Sequence, residues 1–247
     1  MGALALTTAL FLAASQASAL TAYPDYVGPN VTYTNVQEST TSGDPEPLWG
    51  APVGSGNQLL FFPPSFIASA SGAGGFDHTG SQFQTRVTGN TPLDTITAVN
   101  ITEFGDAQIF GAGGTAATGT YAAMVGYVTI LADTNGPIAP IVIGFNANAE
   151  LGFTPSDTLD FVNDFGVTLW SATTTIDLTG YDATEIQISL DNDLYAYSEA
   201  GTNASIQKKV VDGPGVIISV VPEPGTALLV ASGLVILGVR GRRRRDA

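Results

Sequence analysis

The sequence contains no cysteine, a single histidine (His78) and two tryptophans, and only 12% of its residues are charged. Without thiols there is no disulfide framework, no thiolate metal site and no cysteine nucleophile, so a stable body has to come from packing alone. With one histidine, a catalytic triad or a multi-histidine metal centre needs partners that no motif supplies, and neither Gly-x-Ser-x-Gly nor His-Glu-x-x-His occurs. Cations are scarce as well. Of eight Lys and Arg, five stand at Arg240, Arg242, Arg243, Arg244 and Arg245, which leaves Arg86, Lys208 and Lys209. Between Leu20 and Val221 three cations face 20 carboxylates, a net charge of −17. Such a field excludes nucleic acid as a partner and repels anionic lipid. It attracts divalent cations and basic surfaces, and it favours solubility.

The two ends of the chain carry the only long apolar runs. At the start, Ala3 to Ala14 is apolar and is followed by Ala17-Ser18-Ala19, a small-x-small cleavage site, so residues 1–19 read as a secretory signal removed by signal peptidase at Ala17 and Ala19. No Lys or Arg precedes the run, a departure from that pattern. At the other end Val221-Pro222-Glu223-Pro224 leads into an uncharged stretch over 225–239 and then the arginines of 240–245. Two prolines within three residues hold the chain extended outside the stretch, because each fixes φ and lacks an amide donor. As a helix, the 15 residues of the stretch would extend about 22 Å against a hydrocarbon core of about 30 Å. Snorkelling arginines and local thinning make up such a mismatch. Short arginine-rich flanks stay cytoplasmic, which places the body on the far side of the inner membrane.

In its order of proline box, single apolar helix and arginine cluster, Val221 to Arg245 resembles the PEP-CTERM sorting signal of Gram-negative bacteria. The resemblance implies that Pro222, Glu223 and Pro224 are the box recognised by an exosortase, an integral-membrane transpeptidase. It implies an exported protein, tethered to the inner membrane by its C-terminal helix and then displayed at the cell surface or released after processing. It also implies a setting of exopolysaccharide and biofilm matrix. The chain is thereby expected to divide into a signal peptide (1–19), an acidic β domain (20–221) and a sorting signal (222–247).

The body reads as β throughout. Alternation of apolar and polar residues is clear at Ile186-Gln187-Ile188-Ser189-Leu190-Asp191 and at Thr174-Thr175-Ile176-Asp177-Leu178. About a dozen such segments are separated by turn signals such as Asp133-Thr134-Asn135-Gly136-Pro137. The pattern predicts an all-β fold, an antiparallel two-sheet β-sandwich with jelly-roll or Greek-key connections. One short helix is expected over 155–164, with Ser156 as N-cap and Gly166 as its stop.

Site candidates in the body are few. His78 is expected in a loop, Gly74 to Gly80, bonding a carbonyl. The glycine-rich run 111–119 lacks the lysine of a phosphate-binding loop and is expected to be a hairpin loop. Hard oxygen ligands at Asp157, Asp160, Asp191 and Asp193 are the residues a calcium ion would use, although neither group fits an EF-hand. Trp49, Trp170, Tyr195 and Tyr197 could stack sugar rings if they share an exposed sheet face. No cofactor and no catalytic residue is expected. The sequence therefore points to a non-enzymatic matrix protein with a structural or adhesive role, or alternatively to a carbohydrate- or calcium-binding module on the same sandwich.

Overall fold

The structure is a computed structural model that describes residues 20–147, 153–154, 158–209 and 213–223. Within them the chain forms strands and turns and no helix. In order the strands are β1 (Thr21–Ala22), β2 (Tyr26–Val27), β3 (Val31–Thr40), β4 (Val53–Ser55), β5 (Gln58–Phe61), β6 (Ile67–Ser71), β7 (Gly75–Gly89) and β8 (Ile96–Gly111). There follow β9 (Gly119–Asp133), β10 (Gly136–Ala147), β11 (Phe153–Thr154), β12 (Leu159–Asp160), β13 (Gly166–Asp177), β14 (Ala183–Ser198), β15 (Thr202–Gln207) and β16 (Val216–Pro222).

All pairings are antiparallel. One layer runs β3-β7-β14-β9-β10 and the other is built around β8, which pairs β13 on one side and β16, then β15, on the other. A single pair, Ala183 with Ile96, links β14 to β8, so the sheet curls and its two halves face each other across one core. This is the expected sandwich arrangement.

The alternation that predicts the strands also sorts the faces. On β14, Ile186, Ile188, Leu190, Leu194 and Ala196 point inward; on β9, Ala122, Met124, Val128 and Ile130 meet them. Trp49 packs edge-on to Phe61 at 5.2 Å between ring centroids and lies 5.1 Å from Phe83, anchoring one end of the core. Where the alternation breaks, a bulge explains it. On β3 the buried set switches from Val31 and Tyr33 to Val36 and Glu38, because the register slips between Thr34 and Gln37 and Asn35 takes a positive φ of 51°.

The strands are longer than the sequence segments suggest. β8 runs straight through Phe104-Gly105-Asp106, and β14 runs through Asp191-Asn192-Asp193, which the sequence marks as a turn or an oxygen-rich loop. Pairing with β7 and β9 overrides local turn preference in β14, and pairing with β13 carries β8 through Gly105. The short helix does not form in the described part of its span. Leu159–Asp160 pairs with β9, and a turn follows in which Asp160 accepts from the amides of Val162 (2.8 Å) and Asn163 (2.9 Å) and from the Asn163 side chain. An aspartate side chain that captures these amides competes with helical pairing. The glycine-rich run 111–119 crosses from β8 in one layer to β9 in the other, so it is not a hairpin. Glu199 pins it by accepting from the Thr115 amide at 2.7 Å and the Thr118 hydroxyl at 3.0 Å.

Candidate functional site

The outward face of β3-β7-β14-β9 collects the aromatic, amide and carboxylate side chains into rows fixed by strand register. Tyr197 lies opposite Phe76; Tyr195 lies opposite His78 on one side and Tyr121 on the other; Asp193 lies between Gly80 and Ala123; Asp191 lies between Gln82 and Val125; Ser189 lies between Gln84 and Tyr127. Successive residues on one strand face are two apart, so from Tyr197 to Ser189 the face extends roughly 27 Å along the strands.

At one end the aromatics touch. His78 stacks on Tyr195 with centroids 4.5 Å apart and planes 10° from parallel, Phe76 lies 5.4 Å from Tyr197, and Tyr121 lies 6.1 Å from Tyr195. Phe76 is 60% exposed and Tyr197 38%. This is a shallow aromatic cluster whose outer members, Phe76 and Tyr197, are open to solvent. At the other end a groove of about 390 Å³ runs over Gln82, Gln84, Ser189 and Asp191, with Val125 and Tyr127 as its apolar side.

Asp193 stands between platform and groove, and Asp191 lines the near end of the groove. Asp193 Oδ1 is 2.7 Å from His78 Nε2, a contact that Gly80 makes room for, since a Cβ there would fall 2.4 Å from that same oxygen. His78 is therefore a strand residue held by a carboxylate, not a loop residue bonding a carbonyl. Asp191 Oδ1 is shielded from water and receives no hydrogen bond. Burial, followed by the Asp193 charge, raises the Asp191 carboxyl above the usual carboxylate range, with Gln82 and the Asn192 amide pulling it partly back. Tyr195 is raised too, first by burial and then by Asp193.

The sequence candidates are distributed as follows. Tyr195 and Tyr197 share the exposed face. Trp49 and Trp170 are core residues, 0% and 3% exposed, and cannot stack a ligand. Phe76, His78, Tyr121 and Tyr127 are partners that the sequence reading missed; continuing the alternation of β7 back to Gly75 would have placed the first two beside Tyr195 and Tyr197. Asp191 and Asp193 lie two apart on this face, while Asp160 stands in its own turn on another segment, where desolvation raises its carboxyl but the hydrogen bonds from Asn163 and Val162 together outweigh it and lower it. Asp157 lies outside the described residues. Among the described residues no three His, Asp or Glu side chains converge as metal ligands.

Of the proline box, Pro222 pairs with Ile96 at the end of β16, and Glu223 is stitched to Thr95 by two bonds, its amide to the Thr95 carbonyl (2.7 Å) and its carboxylate to the Thr95 hydroxyl (2.8 Å). Pro224, the apolar stretch 225–239, Arg240, Arg242, Arg243, Arg244 and Arg245, and the cleavage residues Ala17 and Ala19 lie outside the described residues.

No protein-family model and no curated protein sequence matches the chain. Among solved structures it is similar to a carbohydrate-binding module with specific mannan recognition, TmCBM27, at 14% identity over 82% of this chain and 98% of that one, with a TM-score of 0.23. It is also similar to the structure of infectious bursal disease virus Gx strain, at 13% identity over 86% of this chain and 58% of that one, with a TM-score of 0.10. At these scores neither likeness bears on fold or function.

Proposed function

We propose that the protein is an exported, non-catalytic matrix or envelope protein whose body holds a neutral glycan chain along the outward face of β3-β7-β14-β9. Its C-terminal signal delivers it to the inner membrane, where an exosortase processes it near Pro222 to Pro224 and leaves the body at the cell surface or released. The observation that carries the glycan reading is the row arrangement itself, with an exposed aromatic platform continuous with a groove of amides, hydroxyls and carboxylates on one open face. Sugar rings present apolar faces that stack on aromatics and hydroxyls that donate to carboxylates and amides, and a site of this composition offers both. The charge of the body selects against uronate or sulfated chains, because two carboxylates line the face and the whole domain carries a strong negative field. Export and processing rest on the resemblance of the C-terminal segment.

Affinity electrophoresis through gels containing neutral polysaccharides tests the proposal. Retardation by at least one neutral polymer is expected, with loss of retardation in a Tyr195→Ala, Tyr197→Ala double variant whose melting temperature is unchanged. Calcium is a separate arm: a melting temperature that rises with added calcium would assign the Asp191 and Asp193 pair to a cation instead.

A further inference from the structure

Asn192 sits between Asp191 and Asp193 on β14 and so points the opposite way, into the core. There it meets Glu103 from β8 and Lys208, the residue that follows β15. Asn192 and Glu103 are fully buried and Lys208 is 1% exposed. Lys208 Nζ lies against the carboxamide oxygen of Asn192 and 2.6 Å from Glu103 Oε2, while the carboxamide nitrogen of Asn192 donates to Glu103 Oε1. Phe66 and Trp170 wall the cluster, with Nζ 4.9 Å and 5.9 Å from their ring centroids. An amine, a primary carboxamide and a carboxyl that touches both nitrogens are thus locked together out of water.

We propose that Lys208 and Asn192 form an intramolecular isopeptide bond, with Glu103 transferring the protons. The lone pair of the neutral Lys208 amine attacks Cγ of Asn192. The Nζ–Cγ bond forms and the Cγ–Nδ2 bond breaks. Glu103 takes a proton from Nζ through Oε2 and gives one to Nδ2 through Oε1, so ammonia leaves and the carboxyl ends as it began. A primary amine and a primary amide become a secondary amide and ammonia, and no oxidant or cofactor is consumed.

Three features favour the reaction. Burial lowers Lys208 against the opposing pull of Glu103, and burial raises Glu103 against the pull of Lys208, so both shifts run toward the neutral amine and neutral acid that the step requires. Fixed contact replaces a bimolecular encounter, an advantage of about 10⁵–10⁸ M in effective concentration for well-oriented groups. The product also leaves no ionisable amine in the core, where a charge is costly to desolvate. In a chain without cysteine, the bond would tie β14 of one layer to the end of β15 in the other.

Peptide mapping of the folded full chain by mass spectrometry, after cleavage at aromatic residues, tests the proposal. The expected result is a branched peptide containing both Asn192 and Lys208, lighter than the two separate peptides by one ammonia. Asn192→Asp should give a product of the same mass by losing water instead. Glu103→Gln, which preserves size and hydrogen bonding, should leave the two peptides separate or greatly slow their joining. Recovery of unmodified Asn192 and Lys208 peptides from folded protein would overturn the bond, and linking in Glu103→Gln at the rate of the unsubstituted chain would overturn the role of Glu103.

Discussion

Glu38 shows how one residue organises a loop in this protein. It is fully buried, and its carboxylate accepts from the amides of Leu48 (3.0 Å), Trp49 (2.8 Å) and Gly50 (3.3 Å) and from the Tyr23 hydroxyl. That side chain holds the part of the loop that carries Trp49 into the core. Glu38→Ala leaves several buried donors without partners, and a loss of about 3 kcal/mol or more is expected in chemical denaturation. Asp191 behaves oppositely. Its folded-state carboxyl is raised, so the stability linked to it is fully present below the unfolded value and is lost as pH rises through the folded value. Asp191→Asn is therefore expected to raise the melting temperature at neutral pH, and the gain should shrink as pH falls through the raised folded value and be gone below about 3.9, the ordinary aspartate value. Equal gains at both pH values would contradict the assignment. These residues were partly legible in the sequence. Glu103 and Asn192 each occupy a position where the alternation calls for an apolar side chain, and that interruption is visible, whereas Glu38 turns inward only through the bulge at Asn35. What each meets is not visible, because the partners come from strands distant in sequence.

At the scale of elements, alternation located most strands but ended several too early. Local turn preference is real at Gly105 and at Asp191-Asn192-Asp193, but pairing with β13 prevails at the first and with both β7 and β9 at the second. Gly105 is there for packing. A Cβ at that position would fall 2.0 Å from the Gln207 carbonyl oxygen and 2.5 Å from the Trp170 ring. Gly105→Ala is expected to cost about 1–3 kcal/mol in equilibrium unfolding, as overpacking does. The last strand gives a second test. β16 lies between β8 and β5 and buries Val216, Ile218 and Val220. A chain ending at Glu223 should keep the cooperative unfolding of the body, whereas one ending before Val216 should fail to fold, as judged by circular dichroism and solubility. Cleavage within the proline box would thus leave the domain whole.

For the whole molecule, composition alone gives an acidic body, because net charge needs no knowledge of the fold, and the two ends carry the expectation of export. The open face was less legible: Tyr195 and Tyr197 could be picked out, but both tryptophans proposed beside them belong to the core, where their size is used to fill the space between layers. If the terminal signal is processed, mass spectrometry of protein from the outside of the cell should find a mature C-terminus near Pro222 to Pro224. A terminus still carrying Arg242 to Arg245 would speak against it. The glycan claim is tested most directly by footprinting tyrosines chemically in the presence and absence of a retarding polysaccharide. Protection of Tyr195, Tyr197 and Tyr127, with Tyr181 on its 40% exposed turn unchanged, is the predicted result; protection that spares the β14 face, or none at all, would contradict it.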